Sequence, residues 1–306
     1  MLRKILLLGL LVLGLAPLHA QTQNHAVPPE PLLWQVTQGQ RTLYLLGSMH
    51  ALKADDYPLA SSVYAALNAA QQVYLELSSE SMTDPEQITY MLQAGTQPVG
   101  RTLQQTVQPS TWQALQAFSS QRKLPISSFQ GLQPWMAAMT VTTTQLKEQG
   151  FDASIGLDEH IRQRAMAAGK QVLGLETLRE QIALFANWDA TLQDQFLAEA
   201  LDDTAHGGNA LDRLYTHWRS GNADALAQDF LDDMRDTSPQ MYAQLLVQRN
   251  RTWMPVLLAY LRQPGAGQAL VVVGAGHLVG PDGLVQLMQA ALDKPQQPAV
   301  KRLAKK

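Results

Sequence analysis

The sequence of 306 residues contains no cysteine. This absence excludes a disulfide framework, a lipoprotein anchor, a thiolate metal site and a cysteine nucleophile. A metal ion bound by this chain would therefore be held by histidine and carboxylate side chains. Charged residues make up only 16% of the chain, and hydrophobic residues make up 46%, as in an ordinary globular protein.

Long apolar runs are also scarce, and the main one lies at the N-terminus. Arg3 and Lys4 precede an apolar run over residues 5–15, and the stretch ends at Ala20. This is the layout of a secretory signal peptide, because a membrane-spanning helix needs about 20 apolar residues. We predict a signal peptide at 1–20 and a flexible leader at 21–31. An uncleaved anchor helix is the alternative.

Cleavage after Ala20 predicts an exported protein, periplasmic or secreted, with no transmembrane segment in the mature chain. It removes two basic residues and no acidic one, which leaves 21 basic against 26 acidic residues and a net charge of −5. A net negative chain gives no electrostatic reason to expect nucleic acid as a partner.

Several common enzyme motifs are missing as well. The chain has no His-Glu-x-x-His helix and no Gly-x-Ser-x-Gly elbow. The segment 274–280 is close to a dinucleotide-binding loop, but its glycine spacing differs by one residue and it lies too near the C-terminus for a nucleotide-binding half. These absences argue against the corresponding enzyme classes.

The chain does contain two copies of one pattern, an apolar strand followed by Gly-x-x-His. The first copy ends at Gly47 and His50, and the second at Gly274 and His277. Of the seven histidines, only these two follow a glycine by three residues. Each copy precedes a helical pattern, at about 58–70 and 281–292. Because ligands of open α/β sheets bind beyond the carboxyl ends of the strands, we predict that both imidazoles lie in one site.

Two glutamates also lie at predicted strand ends. Glu76 lies in the apolar strand 72–77, where an unpaired carboxylate would be costly. A metal ion, an arginine or exposure on an edge strand would each account for it. Glu176 follows the strand 171–175 and is either a functional acid or an acid favoured by the dipole of the next helix.

Two imidazoles with carboxylates suit a divalent ion such as Zn, Mn, Co or Fe. An open coordination position would let that metal acidify a bound water. We predict His50, His277 and Glu76 as metal ligands and Glu76 and Glu176 as catalytic groups. Which glutamate is the ligand and which is the base stays open at this point.

Other polar groups have two possible interpretations. Arg249 and Asn250 lie on a helix whose other face is apolar, so they are either solvated or form a polar clamp on the substrate or on the carboxylates. We predict that they bind substrate. Five further groups are expected to be solvent-facing helix or loop groups with a structural role or none: Asp158, Glu159, His160, His206 and His217.

The hydrophobic pattern predicts an α/β fold of the α+β-like kind, with a central mixed β-sheet. Runs at 33–37 and 42–46 indicate a β-hairpin, and the two strand–Gly-x-x-His–helix–strand units suggest a pseudo-duplicated core. Helical insertions are predicted at about 80–150 and 178–262, and a last strand at 298–303, within one domain over 32–306. Pro58, Asp84 and Ser110 are predicted to begin or cap helices.

These motifs resemble the TraB/GumN family, and the resemblance covers about residues 32–304. It rests on Trp34, Tyr44-Leu45-Leu46-Gly47-Ser48-Met49-His50, Pro58-Leu59, Leu75-Glu76-Leu77, the segment from Gly169 to Thr177 with Gln181, Arg249-Asn250-Arg251-Thr252-Trp253, and the segment from Val273 to Gly280. The family includes Tiki-type metalloproteases, which trim Wnt proteins, and erythromycin-esterase-like proteins are distant relatives.

The resemblance implies an α/β fold with a metal-dependent hydrolytic site at His50, His277 and Glu76. Its implied companions are Glu176, Arg249 and Asn250. One position departs from the family pattern, because the strand glutamate is often followed by an acid two residues later and this chain has Ser78 there. A ligand role at that position is therefore lost.

We predict an exported, metal-dependent hydrolase, such as a peptidase, that acts on a peptide or a small molecule. One alternative is a non-catalytic metal- or haem-binding protein, as in the distantly similar ChaN-like haem-binding proteins. Another is a scaffold whose helical insertion at 178–262 docks a partner.

Overall fold

The computed structural model describes residues 27–205, 209–292 and 300–303. The predicted signal peptide, most of the predicted leader, His206 and the first two residues of the predicted last strand lie outside the described residues. Within the described ranges, no helix is both long enough and apolar enough to span a membrane.

In the part of the chain that the structure describes, six strands form one mixed sheet in the order β4-β3-β5-β2-β1-β6. The strands are β1 (Leu33–Gln38), β2 (Arg41–Ser48), β3 (Gln72–Leu77), β4 (Gln171–Glu176), β5 (Gly267–Gly274) and β6 (Val300–Arg302). β1 and β2 form the predicted antiparallel hairpin. β4, β3, β5 and β2 are parallel neighbours, so their carboxyl ends share one edge of the sheet. The predicted mixed α/β fold is confirmed.

β5 lies at the centre of the sheet, and every residue from Ala269 to Gly274 is buried. A continuous apolar run such as this one is typical of a parallel strand covered on both faces. β3 lies between β4 and β5, so it is an interior strand. Exposure on an edge strand therefore does not account for Glu76.

Fifteen α-helices lie within the described ranges. They are α1 (Ser61–Ala69), α2 (Ser79–Thr83), α3 (Pro85–Ala94), α4 (Pro109–Gln121), α5 (Ser127–Gln130), α6 (Pro134–Glu148), α7 (Leu157–Ala167), α8 (Leu178–Ala186), α9 (Ala190–Ala205), α10 (Asn209–Arg219), α11 (Ala223–Leu226), α12 (Asp233–Thr237), α13 (Pro239–Tyr242), α14 (Gln248–Arg262) and α15 (Leu284–Leu292). A π-helical segment, Ala227–Asp232, joins α11 to α12, and another, Ala243–Val247, joins α13 to α14.

The helix starts agree in part with the prediction. Asp84 caps α3 as predicted, because its Oδ1 accepts the Glu86 N–H at 2.9 Å. The prediction that Ser110 caps the next helix is wrong, since α4 begins at Pro109 with Gln108 at the cap position. The fixed φ of proline suits the first helical position. Pro58 also does not open α1, which begins at Ser61.

The two helical insertions pack against each other, because α9 lies on α4 and α6. The second insertion also contacts the sheet. The indole N–H of Trp218, on α10, donates to the Gly47 carbonyl at 3.0 Å. Fully buried Asp56 pairs with Arg219 and accepts the Tyr215 hydroxyl at 2.7 Å. The segment after His50 is thus tied to α10 by an ion pair.

The two strand–Gly-x-x-His–helix–strand units end differently. β3, the last strand of the first unit, is parallel to β5 inside the sheet. β6, the last strand of the second unit, is antiparallel to β1 at the opposite edge. The internal likeness therefore extends from the strand to the helix of each unit and stops before the last strand.

Candidate functional site

The structure brings together the four polar groups at the shared carboxyl edge. Glu76 Oε1 lies 4.0 Å from His50 Nε2 and 3.9 Å from His277 Nε2. Glu176 joins the same group through Arg249, whose guanidinium contacts both carboxylates. The side chain of His277 is fully buried, and that of His50 is 12% exposed. We call this group, completed by Asn250 and Asp158, the edge site.

The two Gly-x-x-His segments lie in direct contact, and Gly47 permits this. A Cβ atom at Gly47 would lie 3.1 Å from Leu32 Cβ and 3.2 Å from Ala275 Cα. Contacts this short are rare, so a side chain there would push the second segment away. The Gly47 N–H also donates to the Leu32 carbonyl at 2.8 Å. Glycine at this position thus lets His50 and His277 reach one point.

Asp158 belongs to the edge site, and the expectation that it is a solvent-facing helix or loop group is wrong. Its Oδ1 lies 3.0 Å from His50 Nδ1. Gly156 brings it there, because a Cβ at Gly156 would lie 2.2 Å from the His50 carbonyl oxygen. The Leu157 N–H also donates to the Met49 carbonyl at 3.0 Å. The start of α7 therefore lies directly on the backbone of His50.

His50 has its Nδ1 bound to a carboxylate and its Nε2 directed towards Glu76. A carboxylate that accepts from Nδ1 fixes the orientation of an imidazole, as around many metal-binding histidines. Among the described residues, no hydrogen bond is made to His50 Nε2.

His277 is fixed by Asn250. The Asn250 amide nitrogen donates to the carbonyls of His277 and Asp282, at 3.2 and 2.8 Å. Its Oδ1 is therefore an acceptor and lies 2.7 Å from His277 Nδ1. This places the ring proton on Nδ1 and a lone pair on Nε2. The Trp253 ring packs on the imidazole, with the ring centroids 4.5 Å apart.

Arg249 uses all five of its N–H donors inside the protein. Nε and Nη2 hold Glu176 in a bidentate pair, at 3.1 and 2.6 Å, and Nη2 also donates to Glu76 Oε2 at 2.5 Å. Nη1 donates to the Leu245 carbonyl at 3.1 Å and to His277 Nε2 at 2.9 Å. The arginine accounts for the buried Glu76, and the contacts match the interpretation of a clamp on the carboxylates. A role of Arg249 or Asn250 in binding substrate stays a prediction.

The π-helical segment before α14 helps to place Arg249. A π-helix changes the backbone hydrogen-bond register and is frequent at functional sites. Leu245 lies inside the segment Ala243–Val247, and its carbonyl accepts from the Arg249 side chain. Gln181 completes the network from α8, with its amide donating to Glu176 at 2.9 Å.

The two imidazoles have opposite charge preferences. Burial alone would lower the pKa of His50, but Asp158, and then Glu76, raise it to about 9. Burial and the nearby Arg249 charge hold the pKa of His277 well below its usual range. Burial works against Asp158, yet the His50 charge lowers its pKa overall. Without a metal ion, His50 is therefore protonated at neutral pH and His277 is neutral.

The imidazole and carboxylate groups of the edge site are of the kinds that bind a metal ion, but their positions do not yet suit one. Among the described residues, no group of three or more His, Cys, Asp or Glu side chains lies in position to hold a metal ion. Ligand atoms around a tetrahedral ion lie roughly 3.4 Å apart, since each bond is about 2.1 Å. The two separations of about 4 Å in the edge site thus require a shift of about half an ångström. Arg249 must also leave the lone pair of His277.

The remaining predicted groups have structural contacts. His160 lies 3.3 Å from the Tyr64 hydroxyl, and His217 lies 3.0 Å from Asp229. Glu159 pairs with Arg162 on the same helix. Ser78, at the position where the resemblance leads one to expect an acid, caps α2 by accepting the Ser81 N–H at 3.1 Å.

Comparison with known proteins places the chain in a family. The model of the TraB/PrgY/gumN family matches residues 32–292, and the chain belongs to that family. It is also 29% identical to the uncharacterized protein YbaP of Escherichia coli K12 over 252 residues, which cover 82% of this chain and 89% of YbaP. YbaP of Shigella flexneri matches with the same identity and coverage. No solved structure matches the chain.

Proposed function

We propose that this chain is an exported, metal-dependent hydrolase, and that the edge site is its active site. The observation that supports this most directly is the position of Glu76 Oε1, 3.9 and 4.0 Å from two imidazole nitrogens. Each imidazole is fixed through its Nδ1 by an oxygen, which directs its Nε2 towards the same point. That arrangement is typical of histidines that hold a metal ion.

In this proposal His50, His277 and Glu76 hold the ion, which is Zn, Mn, Co or Fe. When bound, such an ion polarises a carbonyl or acidifies a water. Glu76 suits the role of ligand because Oε1 faces both imidazoles and its position is fixed by the Gly274 N–H at 2.8 Å. Asp158 and Asn250 orient the two histidines.

Glu176 has a different environment, since both of its oxygens accept from Arg249. Burial raises its pKa, and Arg249 opposes that effect. We propose that Glu176 anchors Arg249 and that it takes a proton during turnover only if Arg249 releases it. The substrate is proposed to be a peptide or a small ester or amide.

The experiment measures metal content, metal binding and turnover on the purified mature chain. Mn²⁺, Co²⁺ and Zn²⁺ are titrated after chelation, and hydrolysis of casein and of nitrophenyl esters is followed. We expect one ion per chain, with turnover lost on chelation and restored by metal. His50→Ala, His277→Ala and the double variant should each lose binding, with the double variant little worse than either single one, because the two imidazoles share one ligand.

Other outcomes identify the alternatives. Independent, additive losses in the two histidine variants would contradict a shared site. Bound metal without turnover, or a Soret band after reconstitution with haem, would favour a binding protein. A chain that binds neither and tolerates the loss of both histidines would favour a scaffold.

A further inference from the structure

We propose that Arg249 and a divalent metal ion compete for the same lone pair of His277, so that Arg249 occupies the metal-free site and offsets part of the charge of its carboxylates. This inference rests on the proposed function. It concerns how the site accepts its metal, and it makes Arg249 a positioning residue of the metal-free protein.

The hydrogen bonds of His277 define its tautomer. Its Nδ1 proton is bound by Asn250 Oδ1 at 2.7 Å, so Nε2 has one lone pair to offer. Arg249 Nη1 uses that lone pair at 2.9 Å. A metal ion can bind neutral imidazole only through the same electrons. The two interactions therefore exclude each other at this atom.

Arg249 also supplies part of the positive charge that a divalent metal ion would supply. It lies against Glu76 and Glu176, both of which are buried, and its own side chain is 5% exposed. Removing one partner of a buried ion network leaves uncompensated charge and is strongly destabilising. With all five donors satisfied, Arg249 gives the metal-free chain a complete network.

Different N–H groups of Arg249 contact different partners. Nε and Nη2 bind the two carboxylates, whereas Nη1 binds His277 and the Leu245 carbonyl. Only Nη1 must leave His277 when a metal ion arrives. The two ion pairs can persist, so metal binding exchanges one contact of Arg249 and does not dismantle the network.

The test is Arg249→Met, with Arg251→Met as the matched control. Arg251 lies two residues away on α14, is exposed, and the substitution removes the same charge. Mn²⁺ alone is the probe, followed by calorimetry and by thermal unfolding with and without the ion. We expect Arg249→Met to unfold at least about 5 °C below wild type without metal, because two carboxylates lose their counter-ion.

Added Mn²⁺ should favour Arg249→Met over wild type. We expect Arg249→Met to bind Mn²⁺ at least about tenfold more tightly than wild type, and to gain more thermal stability from it, since ligand binding to the folded state adds to its stability. Arg251→Met should match wild type in both measurements. Should Arg249→Met fail to fold, Arg249→Lys is the deciding variant, because lysine keeps the charge but lacks the guanidinium fork. An increase of about threefold or more in its Mn²⁺ affinity over wild type supports competition.

The outcomes separate this inference from the proposed function. If wild type binds Mn²⁺ and the Arg249 variants bind it no better, competition is overturned and the proposed metal site stands. If only the variants bind Mn²⁺, competition is supported and metal dependence of the wild-type chain is overturned. If none of them binds Mn²⁺, the same titrations follow with Co²⁺ and Zn²⁺, and failure with all three ions overturns both proposals.

Discussion

Glu76 presents its two carboxylate oxygens to different partners. Oε1 accepts from the Gly274 N–H and faces both imidazoles, whereas Oε2 accepts from Arg249. Glu176 has no such division, because Arg249 holds both of its oxygens. The geometry therefore gives the two acids different environments.

This difference leads to a paired prediction for Glu76→Gln and Glu176→Gln. We expect Glu76→Gln to lose metal affinity and turnover together, since an amide oxygen is a weaker ligand than a carboxylate. Glu176→Gln should keep its metal. Its loss of rate should be smaller than the roughly 10²- to 10⁴-fold loss that is typical of removing a general base. Metal content and rate are measured side by side on both variants. The opposite pattern, metal kept in the first and lost in the second, would reverse the assignment.

At the scale of elements, the start of α7 is held against the first Gly-x-x-His segment. Gly156 lies so close to the His50 carbonyl that no side chain fits between them. The same contact sets the position of Asp158 on His50 Nδ1. The position of one helix start therefore determines the orientation of one imidazole.

Gly156→Ala should accordingly destabilise the fold by about 3 kcal/mol, because overpacking forces the backbone apart. It should weaken metal binding as well, since His50 moves with its carbonyl. Gly131→Ala is the control. Its added Cβ would meet nothing within 4 Å and its φ is −86°. We expect the control to be neutral or to stabilise by up to about 1 kcal/mol. Urea unfolding and Mn²⁺ titration of both variants measure the difference, and equal effects would contradict the proposed role of Gly156.

The strand-end part of the edge site could be predicted from the sequence, and the rest could not. His50, Glu76, Glu176 and His277 lie at or just beyond the carboxyl ends of apolar strands, and parallel strands bring these ends together. Asp158 is 108 residues from His50 along the chain, and its segment resembles an ordinary helix start. Its role depends on the packing of α7 against β3 and β4, which no local pattern reports.

Arg249 is an intermediate case. The sequence singled it out and left a solvated surface and a clamp as alternatives. Its contacts depend on the π-helical segment before α14 and on carboxylates that lie 73 and 173 residues away. Helical periodicity alone does not distinguish a π-helical register from an α-helical one, so the burial of Arg249 emerges only in the folded chain.

We predict that the chain is exported and that its mature form begins after the signal peptide. Residues 1–20 have a charged start, an apolar run and a small residue at Ala20, which is the pattern that signal peptidase cleaves. We expect N-terminal sequencing of periplasmic or secreted material to begin at or near Gln21. Finding Met1 intact in that material would contradict the prediction.

The stability of the whole molecule should also depend on one buried acid that is not part of the edge site. Glu199, on α9, is 6% exposed, and its Oε1 accepts from Ser238 and Gln195, each at 3.0 Å. Its Oε2 has no hydrogen-bond partner among the described residues. Burial raises the pKa of Glu199 from 4.5 to about 7. The folded chain therefore favours the protonated form.

The sign of the pH effect follows from that shift. Below about pH 4.5 both the folded and the unfolded chain bind the proton, so Glu199 does not lower the free energy of unfolding. Between about pH 4.5 and 7 the unfolded chain loses its proton first, so the free energy of unfolding falls, and above pH 7 the loss is complete. Glu199→Gln should remove this dependence, since its amide does not ionise. We expect the variant to be about 1–3 kcal/mol more stable than wild type at pH 8 and within about 1 kcal/mol of it at pH 5. Urea unfolding at both pH values measures this, and an equal difference at pH 5 and pH 8 would show that ionisation of Glu199 is not the cause.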